Sequence, residues 1–199
     1  MMNLSALSVA RRLTLLTASA TLGIMLLAAA FLWSERALIL QEREASVRHS
    51  VEAAHGVLAH FQTLATQGKM TQDAAQLAAL ETIRAMRYGD NDYFWINDMQ
   101  ARMIMHPMSP ALQGQDVSHL KDTNGQSIFN TFVQTVKDSQ AGFVSYPWPK
   151  PGASQPVQKI SYVKGFAPWG LIIGSGVYVD TVDATVGAER LVWLAVLRC

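Results

Sequence analysis

The stretch from 142 to 179, GFVSYPWPKPGASQPVQKISYVKGFAPWGLIIGSGVYV, alternates three β-type runs with two breaker segments. FVSYPWP, VQKISYVKGF and LIIGSGVYV are rich in β-branched and aromatic residues, whereas KPGASQP and APWG carry the Pro, Gly and Ser of turns. The pattern predicts a three-strand antiparallel meander. Gly174 and Gly176 interrupt the last run, and because an interior glycine weakens a strand, both predict a close approach of backbone.

Further upstream, residues 91–108 read NDYFWINDMQARMIMHPM. Short β-type runs over 93–97 and 102–106 flank the turn-compatible Asn97, Asp98 and Gln100, which predicts a hairpin. Strict alternation puts Tyr93, Trp95 and Asn97 on one face and Phe94 and Ile96 on the other. The same rule sets Met103 and Met105 opposite Ile104 and His106, with Pro107 ending the strand. Between hairpin and meander, the break at Asp122-Thr123-Asn124-Gly125 precedes a helix predicted over 126–138, where Ile128, Phe129, Phe132, Val133 and Val136 mark one face.

Two helices precede any strand. Leu40, Val47, Val51, Ala54, Leu58, Phe61 and Ala65 recur at spacings near three and four, a seam able to pack on a sheet or on a second copy of itself. Gly68-Lys69 closes this helix, and Thr71 is an N-cap for a second one, with Leu77, Leu80, Ile83 and Met86 as its apolar stripe. The whole is an α+β domain of roughly 150 residues, an ordinary size for one domain.

The N-terminal segment differs. Leu13–Trp33 holds about 21 residues without a charge, which as a helix spans roughly 31 Å, a bilayer core. Arg11 and Arg12 precede it while Glu35 and Arg36 cancel beyond it, so the positive-inside rule places residues 1–12 in the cytoplasm and the remainder outside. A cleaved signal peptide shares part of the pattern, with small residues at Ala28-Ala29-Ala30, but the apolar run outlasts the usual ~7–15 residue core of such a signal. From 190 to the end, RLVWLAVLRC begins a second apolar helix too short for the ~20 residues a span needs.

The bulk numbers exclude several classes. A net charge of +1 over 199 residues argues against nucleic-acid binding. The lone cysteine, Cys199, permits no disulfide framework and no cysteine-based zinc site within the chain. GxSxG, P-loop, HExxH and GxGxxG motifs are absent, so no cofactor is expected and an exported enzyme is the weakest reading. His49, His55 and His60 fall on the long helix and His119 in a polar loop, all read as solvated.

His106 is different, because it closes a strand beside polar-tipped aromatics and a lysine that the meander supplies: Tyr146, Trp148, Lys159, Tyr162 and Tyr178. A pocket walled by such rings, with tyrosine hydroxyls, an indole N–H, Lys159 and a protonated His106 as donors, suits a small carboxylate. An aromatic core satisfies the same pattern.

The series YFWIND (93–98), MIMHP (103–107), GFVSYPWPKPG (142–152), KISYVKGF (159–166) and PWGLIIGSGVYVDTVDA (168–184) resembles the single Cache domain, type 2, of bacterial chemoreceptors. The resemblance covers residues 35–188. It implies a PAS-like five-stranded antiparallel sheet behind a long N-terminal helix, held in the periplasm between two inner-membrane spans, and a small ligand that is often a short organic acid. It also implies a methyl-accepting output half beyond Cys199, or the histidine kinase or diguanylate cyclase that the same sensor precedes elsewhere, and it permits a homodimer through the long helix. His106 and Lys159 are the expected anion contacts, with Tyr93, Trp95, Tyr146, Trp148, Tyr162 and Tyr178 as walls or hydroxyl donors.

Overall fold

A computed structural model describes residues 8–180, apart from Asp90 and Asn124. The predicted helix over 190–199 and the domain's expected end near 188 therefore lie outside the described residues. Residues up to Ile39 and residues from Leu40 onward are two compact units.

Helix α1 is assigned to Val9–Thr66. In the first unit it contains an apolar window long enough to cross a membrane, with none of that window buried. This segment also holds hydroxyl side chains, which lipid would leave unsatisfied unless they bond internally. They do: the Oγ1 of Thr14, Thr17 and Thr21 donate to the carbonyls of Ala10, Leu13 and Thr17, at 2.7, 3.1 and 2.9 Å, and Ser19 Oγ donates to Leu16 at 2.9 Å.

The second unit is built on a five-stranded antiparallel sheet. Its strands are β1 (Trp95–Asp98), β2 (Met103–Met105), β3 (Ala141–Pro149), β4 (Pro156–Phe166) and β5 (Leu171–Tyr178), in spatial order β2-β1-β5-β4-β3. The predicted meander forms as β3-β4-β5, and β1 pairs with β5 so that the hairpin completes the sheet. Asp98 sets the β1–β2 turn: its Oδ1 accepts from the backbone N–H of Gln100 at 2.9 Å and of Arg102 at 2.8 Å.

One sheet face packs on α1 and on α2 (Gln72–Ala85). Val47, Val51, Ala54 and Leu58 of the predicted seam are buried against Phe94, Ile96, Ile173 and Val177. Removing each of the larger ones from water stabilises the fold by roughly 1.5–3 kcal/mol. Thr71 caps α2 as expected, accepting from the Ala74 N–H at 3.2 Å. Of the predicted α2 stripe, Ile83 is buried and Leu80 and Met86 pack against the core, but Leu77 does not. Ala75, Ala79 and Ile83 are buried at strict fourfold spacing, while Leu77 is 63% exposed. Small alanines let the helix lie close, and the larger leucine is left on the outer side.

The opposite face packs on α3 (Ile128–Ser139), whose Ile128, Phe129, Phe132, Val133 and Val136 are all buried as the periodicity predicted. Here Gly174 and Gly176 find their reason. A Cβ on Gly174 would sit 2.4 Å from the Trp95 ring, and one on Gly176 would sit 2.1 Å from Ser161 Oγ and 2.6 Å from the Ile160 carbonyl oxygen. The missing side chain at Gly174 leaves room for the Trp95 indole, and the one at Gly176 lets β4 approach at Ile160 and Ser161.

Alternation fails in β2. The register pairs Ile96 with Met105 but Asn97 with Met103, so Ile104 is an extra, bulged residue. Met103 consequently packs on the α3 side and Met105 on the α1 side, in place of the shared face that simple alternation predicts. The same displacement returns His106 to the α3 side, where it meets Tyr93 and Trp148.

Candidate ligand-binding site

On β4, every second residue from Lys159 faces α3, and the register fixes its neighbours: Tyr146 on β3 and Tyr178 on β5 stand directly across from Lys159. Tyr93 and Trp95 approach from the start of β1. The Lys159 side chain is 1% exposed. Its Nζ donates to the Tyr93 hydroxyl at 3.0 Å and lies 4.4, 5.4 and 4.9 Å from the ring centroids of Tyr93, Trp95 and Tyr178. Three rings offering their negative faces replace part of the lost hydration. Among the described residues no carboxylate pairs with it within 4 Å. Burial therefore pushes its pKa from the ordinary 10.5 down to about 7, with Asp92 pulling weakly the other way.

The hydroxyls form a chain. Tyr93 is hydrogen-bonded to Tyr178 and to the Trp148 indole, and the Tyr178 hydroxyl donates to the Pro149 carbonyl oxygen at 2.8 Å. Because that carbonyl can only accept, Tyr178 spends its proton there and is left to accept from Tyr93. Tyr146 bonds Ser161 Oγ at 3.0 Å. Burial raises the pKa of Tyr93, Tyr146 and Tyr178, so each is a neutral phenol. Behind Tyr93, the Tyr88 hydroxyl meets Ser175 Oγ at 2.6 Å, and Ser175 donates to the Tyr93 carbonyl at 2.6 Å, which anchors the backbone carrying the site.

His106 stands at the edge of this cluster, 2% exposed, with ring centroids 5.1 Å from Tyr93 and 6.5 Å from Trp148. Its Nδ1 accepts the Ser109 N–H at 3.0 Å, so the neutral ring carries its proton on Nε2. Burial first, and the nearby Lys159 charge second, push its pKa down to about 4. The protonated imidazolium expected from the sequence is therefore absent at neutral pH. His106 can still donate one hydrogen bond, but it brings no charge.

The structure gathers seven of the eight predicted residues: His106, Lys159, Tyr93, Trp95, Tyr146, Trp148 and Tyr178. Tyr162 is the exception. It follows Ser161 onto the other sheet face, packs against the α1-side core and meets Phe143 at 4.9 Å between ring centroids. Phe129 and Phe132, read from sequence only as a helix face, wall the site through contacts to Trp148, Trp95 and Tyr146. A cavity of about 270 Å³ shares Tyr93 and Tyr178 with the cluster and is otherwise lined by Arg43, Asn91, Asp92, Lys150, Pro151 and Val177. Apart from the two tyrosines, none of these was singled out. The signal was available for Lys150 alone, at the tip of the turn in PWPKPG.

A five-stranded antiparallel sheet thus carries helices on both faces and buries a lysine among aromatic rings. The chain belongs to the Single Cache domain 2 family, whose model matches residues 39–190. It is 46% identical over 184 residues to the methyl-accepting chemotaxis protein McpP of Pseudomonas putida, covering 92% of this chain and 34% of that protein. It is 27% identical over 152 residues to the sensor histidine kinase MctS of Rhizobium johnstonii, covering 76% and 32%. This chain thus spans about a third of the length of these curated relatives.

Among solved structures, a periplasmic sensor domain of a chemotaxis protein aligns with a TM-score of 0.69 at 51% identity, covering 70% of this chain and 97% of that one. A Cache chemosensory domain solved to explain carboxylic acid recognition aligns at 0.68 with 52% identity, covering 70% and 95%. The fold expected from the sequence, a PAS-like antiparallel sheet behind a long N-terminal helix, is the fold of this family.

Proposed function

We propose that the chain is the extracytoplasmic sensing part of a transmembrane chemoreceptor and binds a short organic acid through its carboxylate at Lys159. One observation carries the reading: a fully buried lysine Nζ with a single hydrogen-bond partner and no counter-ion among the described residues. A carboxylate placed against Nζ supplies the missing charge, and neutral His106 stands beside it as a donor, while the Tyr93 hydroxyl and the Trp148 indole would have to exchange their present partners to reach it. Tyr146, Tyr178 and Trp95 complete the walls. The likeness to a domain known for carboxylic acid recognition supports the ligand class.

The apolar part of α1 serves in this reading as the membrane anchor, with residues 1–12 cytoplasmic, 13–33 spanning, 35–188 periplasmic and 190–199 opening a second span. The domain binds and reports and performs no turnover. Its output is methyl-accepting signalling, as in its relative from Pseudomonas putida. A histidine kinase output is the second reading, favoured by the Rhizobium relative.

The test is calorimetry on the whole chain in lipid nanodiscs, titrating acetate, propionate, lactate and pyruvate, with acetamide and propionamide as uncharged counterparts. At least one acid should bind and its amide should not, and Lys159→Met should abolish the heat. Binding of the amide as tightly as the acid, or retained binding in the Lys159 variant, overturns the reading.

A further inference from the structure

The cavity beside the cluster has walls in common with it. Tyr93 and Tyr178 line the void and are also two of the rings around Lys159. The ring of Tyr178 has two ammonium groups near it, Lys159 Nζ at 4.9 Å from its centroid and Lys150 Nζ at 5.6 Å. The two lysine nitrogens therefore lie no more than about 10.5 Å apart, the sum of those distances. Lys150 lines the cavity, whereas Asp180, whose Oδ2 pairs with it at 2.7 Å, does not. This ion pair presents its positive end to the void, and Arg43 of α1 adds a second cation against the one lining carboxylate, Asp92.

We propose that this cavity is the access route by which an anion reaches Lys159, with Lys150 as the steering cation and Asp180 as the group that moderates it. A carboxylate entering the void meets Lys150 first and is handed past Tyr178 to Lys159, within the range over which two charges in low salt feel one another. Lys150 and Asp180 are partly exposed and lie outside the aromatic box, so they act on the approach of the ligand and not on the bound state. The proposal rests on the reading of Lys159 as the carboxylate site.

The experiment is stopped-flow binding of propionate, or of acetate should propionate give no heat in calorimetry, followed by tryptophan fluorescence on the whole chain in nanodiscs. Lys150→Gln and Asp180→Asn are compared at ~10 mM and ~1 M salt. At low salt the association rate should fall two- to fivefold in Lys150→Gln and rise by a similar factor in Asp180→Asn, the Boltzmann factor of about one unit charge at roughly 4–10 Å in water. Dissociation rates should change by less than about twofold, and the differences should vanish at ~1 M salt, where screening acts within ~3 Å.

The two variants break the same ion pair but change the charge in opposite directions. If both shift association the same way, the pair acts as a mechanical clasp and the steering proposal falls. If neither shifts it, the anion arrives by another path and the proposal falls as well. Failure of the wild-type chain to bind any carboxylate would instead remove the underlying site.

Discussion

Replacing Lys159 with methionine should abolish carboxylate binding and make the domain more stable. In the folded chain the ammonium is buried and its pKa lies at about 7, against an ordinary 10.5 in the unfolded chain. A cation whose folded pKa is depressed costs stability whenever the unfolded chain holds the proton. The penalty is absent above pH 10.5, grows as pH falls towards 7, and is complete below it. At about 1.4 kcal/mol per pH unit, the gap of 10.5 − 7 = 3.5 units makes the full cost about 5 kcal/mol, a large share of a typical domain's stability.

Methionine has a similar length and no charge, and the Tyr93 hydroxyl keeps Tyr178 and Trp148 as partners after the exchange. The clean window is pH 7–9, above the histidine range and below the ordinary tyrosine pKa of 10. There the wild-type unfolding free energy should climb by about 2 kcal/mol, because the folded-state lysine is already half deprotonated at pH 7, while the Lys159→Met chain stays flat. Urea unfolding in nanodiscs, read by tryptophan fluorescence at pH 7, 8 and 9, measures both slopes. A flat wild-type profile, or a methionine variant less stable than wild type at pH 7, would refute the reasoning.

Three further outcomes follow from the same geometry. His106 is lowered from 6.5 to about 4, so its contribution is full above pH 6.5 and lost between 6.5 and 4, about 3 kcal/mol in all. His106→Asn, whose Oδ1 can accept the Ser109 N–H, should move the acid unfolding midpoint downward, and coincident midpoints would count against a buried neutral ring. Gly174→Ala should cost about 1–3 kcal/mol in thermal or urea unfolding and weaken carboxylate binding, since its methyl would displace the Trp95 indole; wild-type stability would contradict that contact. Tyr162→Phe should leave carboxylate affinity unchanged in calorimetry, and a tenfold loss would return Tyr162 to the site.

The sheet was legible because strands with one buried face alternate, and breakers separate them. Trp95 and Phe94 sorted correctly onto opposite faces, as did Lys159 and Tyr162, although including Tyr162 among the site residues ignored that very alternation. What alternation cannot reveal is where it breaks. The bulge at Ile104 depends on pairing with β1 and leaves no local mark, so Met103 and Met105 were assigned to one face. In α2 the hydrophobic pattern favoured Leu77, whereas packing chose the small Ala75 and Ala79. The charge state of His106 was illegible for a related reason: the burial of the ring, and after it the nearby Lys159 charge, arise only on folding.

The cost of burying Lys159 bears on signalling as well as on stability. A ligand shifts a conformational equilibrium only by its differential affinity for the two states, so a receptor needs a contact that the ligand alone completes. An aromatic core without the lysine would be more stable and would offer a carboxylate nothing. In the proposed reading, the lysine is a buried cation that its surroundings neutralise imperfectly, and a carboxylate would relieve that deficit. The relief would act along the hydroxyl chain from Lys159 through Tyr93 and Tyr178, which ends on Pro149 next to the Lys150–Asp180 pair. That pair joins the β3–β4 turn to the residue two places beyond the last residue of β5, Tyr178. In the proposed reading, a change in the hydrogen bonding of Tyr93 would thus reach the end of β5, and the destabilising residue would also be the one that couples ligand to strand.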